Sequence, residues 1–139
     1  MLFERAPGPI RKLLIVEDEP LVAFDNEYFL STNGYTVVAT VDNADEAAAL
    51  IAKGGIDLVL SDVKLNASTG RDVALAAKAA DIAVLFVTAT CPIDAQDIAV
   101  GCLAKPYSQK ELKYAIEAVT DQLEGKKPKR APKGLTLYG

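Results

Sequence analysis

Short apolar runs alternate with longer stretches of helical character along this chain. Runs rich in apolar or β-branched residues predict strands over residues 12–16, 35–41, 56–61, 82–87 and 100–104. The stretches between and after them predict helices over residues 20–31, 43–53, 70–80 and 108–123. Because strands and helices alternate, we predict a doubly wound α/β domain, with five parallel strands and helices on both faces of the sheet.

Residues at the ends of the predicted helices support these boundaries. Pro20 fits the first turn of the first helix, and Gly34 ends it, while Ser108 is a candidate N-cap of the last helix. Apolar residues recur at helical spacing in both elements: Leu21, Phe24, Tyr28 and Phe29 in the first, and Leu112, Ile116, Val119 and Leu123 on one face of the last.

Size, charge and hydropathy limit the class of protein. A length of 139 residues suits one domain, and a 50% apolar composition allows a sizeable core. No apolar run reaches the about 18 residues of a membrane span, and the N-terminal MLFERAPGPIRK lacks the apolar stretch of a secretory leader. We therefore expect a cytoplasmic protein that does not bind membranes. The net charge of −4 gives no reason to expect nucleic-acid binding.

The histidine and cysteine content limits the kinds of catalytic and metal site that the chain can form. The chain has no histidine, which excludes histidine general bases, Ser-His triads and histidine-ligated metals. Cys91 and Cys102 are too few for a disulfide framework and lack zinc-site spacing. We expect both to be small, reduced core or loop residues.

Polar residues follow four of the predicted strands. Glu17 and Asp18 come after the first, Asp62 after the third, Thr88 after the fourth and Lys105 after the fifth. Taken singly, each of these residues has a structural explanation. The acidic pair is typical of the start of a helix, and both Asp62 and the Lys105-Pro106 pair are typical of turns. Together they fall at the carboxyl edge of one parallel sheet, where ligands bind in open α/β folds.

Three converging carboxylates repel one another, and a hard divalent cation relieves that repulsion. Mg²⁺ prefers oxygen ligands and commonly works with phosphate oxygens. Lys105 offers a positive charge for a phosphoryl oxygen, and Thr88 offers a hydroxyl donor. This set predicts a Mg²⁺ site at which Asp62 accepts a phosphoryl group.

Four motifs in order resemble the receiver domain of two-component response regulators: LLIVEDEP, LVLSDVKLNASTG, FVTAT and LAKPYS. The resemblance covers about residues 11–124 and implies a flavodoxin-like receiver fold. It implies that Asp62 is phosphorylated by a sensor histidine kinase, and that Thr88 and Lys105 contact the phosphoryl group. It further implies a magnesium site and a cis peptide bond before Pro106. The implied magnesium ligands are Glu17, Asp18, Asp62 and the backbone carbonyl of Lys64.

The chain departs from the family pattern in three places. Asn66 replaces a usual proline four residues after the phosphoacceptor. The segment between Thr88 and Lys105 is short, so we expect the fourth helix to be truncated, irregular or mobile. Cys102 occupies the position of the usual switch aromatic, which Tyr107 or Tyr114 could replace. The last two departures resemble a subgroup of stand-alone receivers partnered with atypical histidine kinases.

We divide the chain into an N-terminal extension (1–10), a receiver domain (11–124) and a basic flexible tail (125–139). The tail is interpreted as a solvated linker or a docking segment, and its apolar end, residues 134–138, could add to a sheet edge or dock on a partner. It is too short for a second functional domain.

We expect a single-domain response regulator that is not an enzyme beyond its own phosphorylation and dephosphorylation. It would change its affinity for a protein partner or act as a phosphate sink. One alternative is a receiver-like binding module without phosphotransfer. Another is a phosphatase with Asp62 as nucleophile, although Lys64 stands where such enzymes usually have a second acid.

Overall fold

The computed structural model describes residues 10–138. Its strands are β1 (Lys12–Val16), β2 (Thr36–Val41), β3 (Leu58–Ser61), β4 (Lys64–Leu65), β5 (Ser68–Thr69), β6 (Ala83–Thr88), β7 (Gly101–Ala104) and β8 (Leu135–Leu137). Its helices are α1 (Pro20–Ser31), α2 (Ala44–Lys53), α3 (Gly70–Ala79) and α4 (Gln109–Leu123). The main sheet has the order β2-β1-β3-β6-β7-β8. Its first five strands are parallel, which confirms the predicted doubly wound α/β core.

The sheet is covered on both faces, which explains why its central strands are almost wholly apolar. On one face, strand residues such as Leu14, Val59 and Phe86 pack with residues of α2 and α3. On the other face, alternate strand residues such as Leu13 and Leu58 pack with residues of α1 and α4. Adjacent residues of β1 and β3 therefore serve two separate core layers.

Side-chain caps fix the start of three helices. The side chain of Asn43 accepts from the Glu46 N–H at the start of α2, and that of Thr69 accepts from the Asp72 N–H at the start of α3. Ser108 forms a reciprocal capping box with the third residue of α4. Helix α1 has no side-chain cap, and Pro20 is its first residue.

Helix α1 buries a different side from the one that Leu21, Phe24 and Tyr28 occupy. Leu21, Phe24 and Tyr28 are 80%, 68% and 65% exposed. The buried residues are Ala23, Asn26 and Leu30. The spacing of the apolar residues predicts the helix correctly. However, apolar residues lie on more than one side of the helix, so their pattern does not reveal which side faces the sheet. In α4 the predicted face is buried except for Leu123, which is 45% exposed.

The segment of residues 89–100, between β6 and β7, contains no helix. This agrees with the predicted truncation of the fourth helix of the receiver pattern. Ala95 and Ile98 are buried and anchor the segment to the core. Cys91 forms a disulfide bond with Cys102. The expectation of two reduced cysteines is therefore wrong for this structure, because the irregular segment brings Cys91 against β7.

The C-terminal residues 135–137, predicted as part of a flexible tail, form β8 and pair antiparallel with β7. This corresponds to the alternative in which the apolar end adds to a sheet edge. Gly101 permits the pairing, since a Cβ there would lie 2.6 Å from the Thr136 carbonyl oxygen.

At the other end, Ile10 is buried, whereas the rest of the predicted N-terminal extension, residues 1–9, lies outside the described part. Within residues 10–138, no helix is both long and apolar enough to cross a membrane.

Candidate functional site

The acidic residues lie where the hydrogen-bonded ladders of β1 and β3 end. Val16 and Ser61 are register partners in these adjacent strands. The next residue of each strand continues the ladder by one bond: the Asp62 N–H donates to the Val16 carbonyl (3.0 Å), and the Glu17 N–H donates to the Val41 carbonyl (2.9 Å). Parallel pairing therefore brings Glu17 and Asp62 to the same point on the sheet edge.

Lys105 reaches this point from β7. Its backbone N–H donates to the Thr88 carbonyl (2.8 Å), and its bond to Pro106 is cis, the isomer that the resemblance implies. The Lys105 Nζ lies 2.9 Å from Asp62 Oδ2 and 3.1 Å from Glu17 Oε1. Both distances are those of charge-assisted hydrogen bonds. One lysine thus pairs with two carboxylates from two different strands.

Burial and these hydrogen bonds oppose each other in setting the charges of the site. Glu17 is 5% exposed, and its burial raises its pKa, although the Glu19 N–H and the Lys105 ammonium act in the opposite direction. Burial of Lys105 by itself lowers its pKa. The hydrogen bonds to Asp62 and Glu17 outweigh that effect and raise the Lys105 pKa above its ordinary value. The lysine is therefore held in its charged form.

The carboxylates of Glu17, Asp18 and Asp62 could hold a metal ion. One oxygen from each lies within 4.8 Å of the others. Lys105 supplies one positive charge to this cluster, and it is also 3.5 Å from a carboxylate oxygen of Glu19. The cluster therefore keeps an excess of negative charge, and all of its potential ligands are oxygens. Such a set suits a hard divalent cation such as Mg²⁺.

The loop after Asp62 is a small hairpin whose strands are β4 and β5. Within it, the Lys64 N–H donates to Asp62 Oδ1 (3.2 Å), so the backbone of Lys64 lies beside the candidate phosphoacceptor. Asn66 stands in the turn, and Ala67 has a positive φ of 56°. The hairpin gives this loop a defined shape without the family's usual proline.

Gly70 closes the same loop against Asp62. Its N–H donates to the Val63 carbonyl (2.7 Å), and a Cβ at Gly70 would lie 2.1 Å from the Asp62 carbonyl oxygen. Backbone therefore passes so close to backbone that only glycine fits. This position holds the loop next to the candidate phosphoacceptor.

Thr88 and Cys102 lie on the neighbouring strands of the site. Thr88 is buried at the end of β6, and its register partner Ala104 directly precedes Lys105. Cys102, at the switch-aromatic position, is fully buried and bonded to Cys91. The structure thus brings together Glu17, Asp18, Asp62 and Lys105, with Thr88 on the adjacent strand.

The two tyrosines considered for the switch role lie outside β7, Tyr107 just after the cis peptide bond and Tyr114 on α4. The Tyr107 hydroxyl accepts a hydrogen bond from Asn26 Nδ2 (2.9 Å), and burial raises the pKa of Tyr107. The ring of Tyr114 faces solvent-exposed Arg130, whose guanidinium carbon is 4.4 Å from the ring centroid. Neither position replaces the buried side chain of Cys102 in β7.

Sequence reasoning missed Asn26 and Glu19. Asn26 is buried on α1, and with Lys105 and Tyr107 it lines a cavity of about 320 Å³ beside the site. A polar residue within a helix whose partner is 81 positions away carries no local signal. Glu19 directly follows the acidic pair, and its proximity to that pair was the available signal for its contact with Lys105.

Comparison with known proteins gives one family. The response regulator receiver domain model matches residues 13–117. The transcriptional regulatory protein PdtaR of Mycobacterium tuberculosis is 35% identical over 77% of this chain, which spans only 55% of that protein's length. The chemotaxis protein CheY of Pseudomonas aeruginosa is 28% identical, with 82% of this chain and 99% of that protein covered.

A solved receiver domain of a sensor histidine kinase from Pseudomonas aeruginosa has a similar fold. The TM-score is 0.69 at 21% identity, with 81% of this chain and 98% of that chain covered. That structure is described with a magnesium ion coordinated in its active-site cleft.

Proposed function

The chain belongs to the response regulator receiver domain family, and from this premise we propose that it accepts a phosphoryl group on Asp62 from a sensor histidine kinase, in a Mg²⁺-dependent reaction. The observation that carries the proposal is the position of Asp62. Its carboxylate lies 2.9 Å from the Lys105 ammonium and within 4.8 Å of oxygens of Glu17 and Asp18. A phosphoryl group added there would meet a cation and potential metal ligands at once.

In the proposed reaction, an Asp62 carboxylate oxygen attacks the phosphorus of a phosphohistidine. A P–O bond forms to Asp62, and the P–N bond to the kinase histidine breaks. Lys105, held in its charged form, stabilises negative charge on the phosphoryl oxygens. Glu17, Asp18, Asp62 and, as the family resemblance implies, the Lys64 carbonyl would hold Mg²⁺, and the bound ion would neutralise negative charge at the site.

Thr88 is the candidate residue for sensing the phosphoryl group on Asp62. It is buried at the end of β6, next to the strand that leads to Asp62. Its hydroxyl can donate to a phosphoryl oxygen. Contacts made only with the phosphorylated form shift a conformational equilibrium. Since residues 89–100 follow Thr88 directly and form no helix, we propose that their ordering is the conformational change.

We further propose a cytoplasmic, single-domain response regulator with no enzymatic activity beyond its own phosphorylation and dephosphorylation. It would signal through a protein partner or serve as a phosphate sink, without binding nucleic acid or membrane. The CheY protein of Pseudomonas aeruginosa, which the match covers almost completely, is a precedent for a receiver without a second domain, whereas the match covers only 55% of PdtaR. The non-helical 89–100 segment supports the subgroup that partners atypical histidine kinases.

Intact mass after incubation with a small acyl-phosphate donor and Mg²⁺ tests phosphorylation. We expect one added phosphoryl group in the wild type and none in Asp62→Asn. The matched control is Asp97→Asn, which changes an exposed aspartate and should label like the wild type. A chelator should abolish labelling.

Stoichiometric labelling of Asp62→Asn would overturn the assignment. No labelling of a folded wild type by either the small donor or a panel of kinases would favour the binding-module alternative.

A further inference from the structure

The disulfide between Cys91 and Cys102 joins the segment that leaves the candidate site after Thr88 to the strand that leads into the site at Lys105. Cys91 lies three residues after Thr88, and Cys102 lies three residues before Lys105. The two Cα atoms are 6.0 Å apart, and the bond closes a loop with a sequence separation of 11 residues. It therefore ties the 89–100 segment covalently to β7.

The two cysteine residues differ in burial. Cys102 is fully buried in the middle of β7, whereas Cys91 is only partly buried at the beginning of the irregular segment. Cys91 is therefore the more accessible residue of the pair, and Cys102 is the more shielded one. This asymmetry defines which sulfur a reductant attacks.

Apart from the disulfide, the segment around Cys91 is held by an exposed ion pair between Asp94 and Arg71 (3.7 Å) and by a small number of buried residues. Ala95 and Ile98 are buried, and the Pro92 carbonyl accepts a hydrogen bond from the Tyr138 hydroxyl at 3.4 Å. Between Cys91 and Ala95, Ile93 is 92% exposed. Loss of the covalent bond would leave this part of the chain with little apolar burial to restrain it.

We propose that Cys91 and Cys102 form a redox modification site whose reaction partner is a low-potential dithiol. One thiolate of that dithiol attacks Cys91 Sγ, so that a mixed disulfide forms and Cys102 leaves as a thiolate that takes up a proton. The second thiolate of the dithiol then attacks the dithiol's own sulfur in the mixed disulfide, and Cys91 leaves as a thiolate that takes up a proton. Two electrons pass from the dithiol to the cysteine pair, which ends as two thiols, and the dithiol ends as a disulfide.

The consequence for signalling rests on the proposed function. If the 89–100 segment rearranges when Asp62 is phosphorylated, the oxidised pair limits that rearrangement and the reduced pair allows it. The redox state would then control how far phosphorylation changes the surface next to Thr88. Disulfides inside the cytoplasm are typically transient or redox-sensing, which fits a site of this kind.

Titration of the folded full chain with buffers of oxidised and reduced dithiothreitol tests the site. At each ratio the exchange is quenched with acid, the protein is unfolded so that the buried Cys102 is accessible, and alkylation followed by intact mass counts the free thiols. We expect one reversible transition in which both cysteines become alkylated together. A pair that is reduced only after denaturation, or that never forms the bond in oxidised buffer, would overturn the proposal.

Hydrogen exchange of residues 89–100 tests the structural consequence. We expect exchange to be about ten- to hundredfold faster in the reduced protein than in the oxidised one. Cys91→Ser should exchange like the reduced wild type in both buffers, because it keeps the buried Cys102 and cannot form the bond. Equal exchange in oxidised and reduced wild type would contradict the restraint.

These readouts need no phosphorylation. Failure of the redox transition would leave phosphorylation of Asp62 untouched, and absence of phosphorylation would leave the redox transition measurable.

Discussion

Gly70→Ala tests whether the loop after Asp62 is held by backbone contact. An added Cβ would lie 2.1 Å from the Asp62 carbonyl oxygen and 2.8 Å from the Val63 Cα. Ordinary contacts between such atoms are about 3.5 Å, so the helix start and the loop must separate by about 1 Å or more. Both sides of the contact are backbone, so no side-chain rotation can relieve it.

The expected change in the free energy of unfolding follows from two opposing effects of the substitution. Replacing glycine by alanine in a helix gains up to about 1 kcal/mol from propensity. Forcing an extra carbon into a packed site costs about 1–3 kcal/mol. Because Gly70 is the first residue of α3, the propensity gain is small there. We expect a net loss of about 1–2 kcal/mol in the free energy of unfolding.

We expect Gly70→Ala to reduce the rate of Asp62 phosphorylation more strongly than it reduces the stability of the fold. A shift of about 1 Å in a reacting group can cost about a hundredfold in rate. Urea unfolding measures the stability, and labelling with an acyl-phosphate donor measures the rate on Asp62. Gly134→Ala is the matched control, since its Cβ would have ordinary contacts of 3.5 Å or more. Gly70→Ala with wild-type stability and labelling would refute the reasoning.

Three further changes test separate parts of the account. Burial raises the pKa of Glu17 above its ordinary value of 4.5. The folded protein therefore binds the Glu17 proton more tightly than the unfolded chain does, which adds to the free energy of unfolding below pH 4.5. This contribution is lost as the pH rises through the pKa of Glu17 in the folded protein. In chelator, Glu17→Gln should therefore be more stable than the wild type at pH 7, with a difference that shrinks toward pH 4.5 in urea unfolding; a constant difference would contradict this. Gly101→Ala would place a Cβ 2.6 Å from the Thr136 carbonyl oxygen, so β8 should separate and the Tyr138 amide should lose protection from hydrogen exchange. Ser108→Ala removes the α4 cap and should cost about 1 kcal/mol in thermal or urea unfolding, whereas no loss would show that the capping box is unimportant.

The convergence of the site could be predicted because it depends only on topology. Each functional residue lies at or just beyond the carboxyl end of a strand, and parallel strands end on the same side of the sheet. Because β1 pairs with β3, Glu17 and Asp62 lie close together, and this proximity does not depend on how the helices pack. Lys105 follows by the same logic, because β7 runs parallel to β6 with Ala104 opposite Thr88.

Features that depend on three-dimensional packing could not be predicted in this way. Apolar residues occupy more than one side of α1, so the sequence does not reveal that Ala23 faces the core while Leu21 and Phe24 face solvent. The 11-residue separation of the cysteines says nothing about distance, because the intervening chain has no regular period. β8 is only three residues long, and its pairing with β7 is set by contacts distant in sequence.

The most direct test of the central claim is an amide NMR spectrum of isotope-labelled protein, recorded without metal, with Mg²⁺, and with Mg²⁺ plus beryllofluoride as a phosphoryl mimic. The account predicts shifts centred on Asp18 and Asp62 with Mg²⁺, and further shifts at Thr88 and Lys105 with the mimic. If neither addition perturbs these four amides, Asp62 is not a phosphoacceptor, and the chain is a receiver-shaped binding module instead.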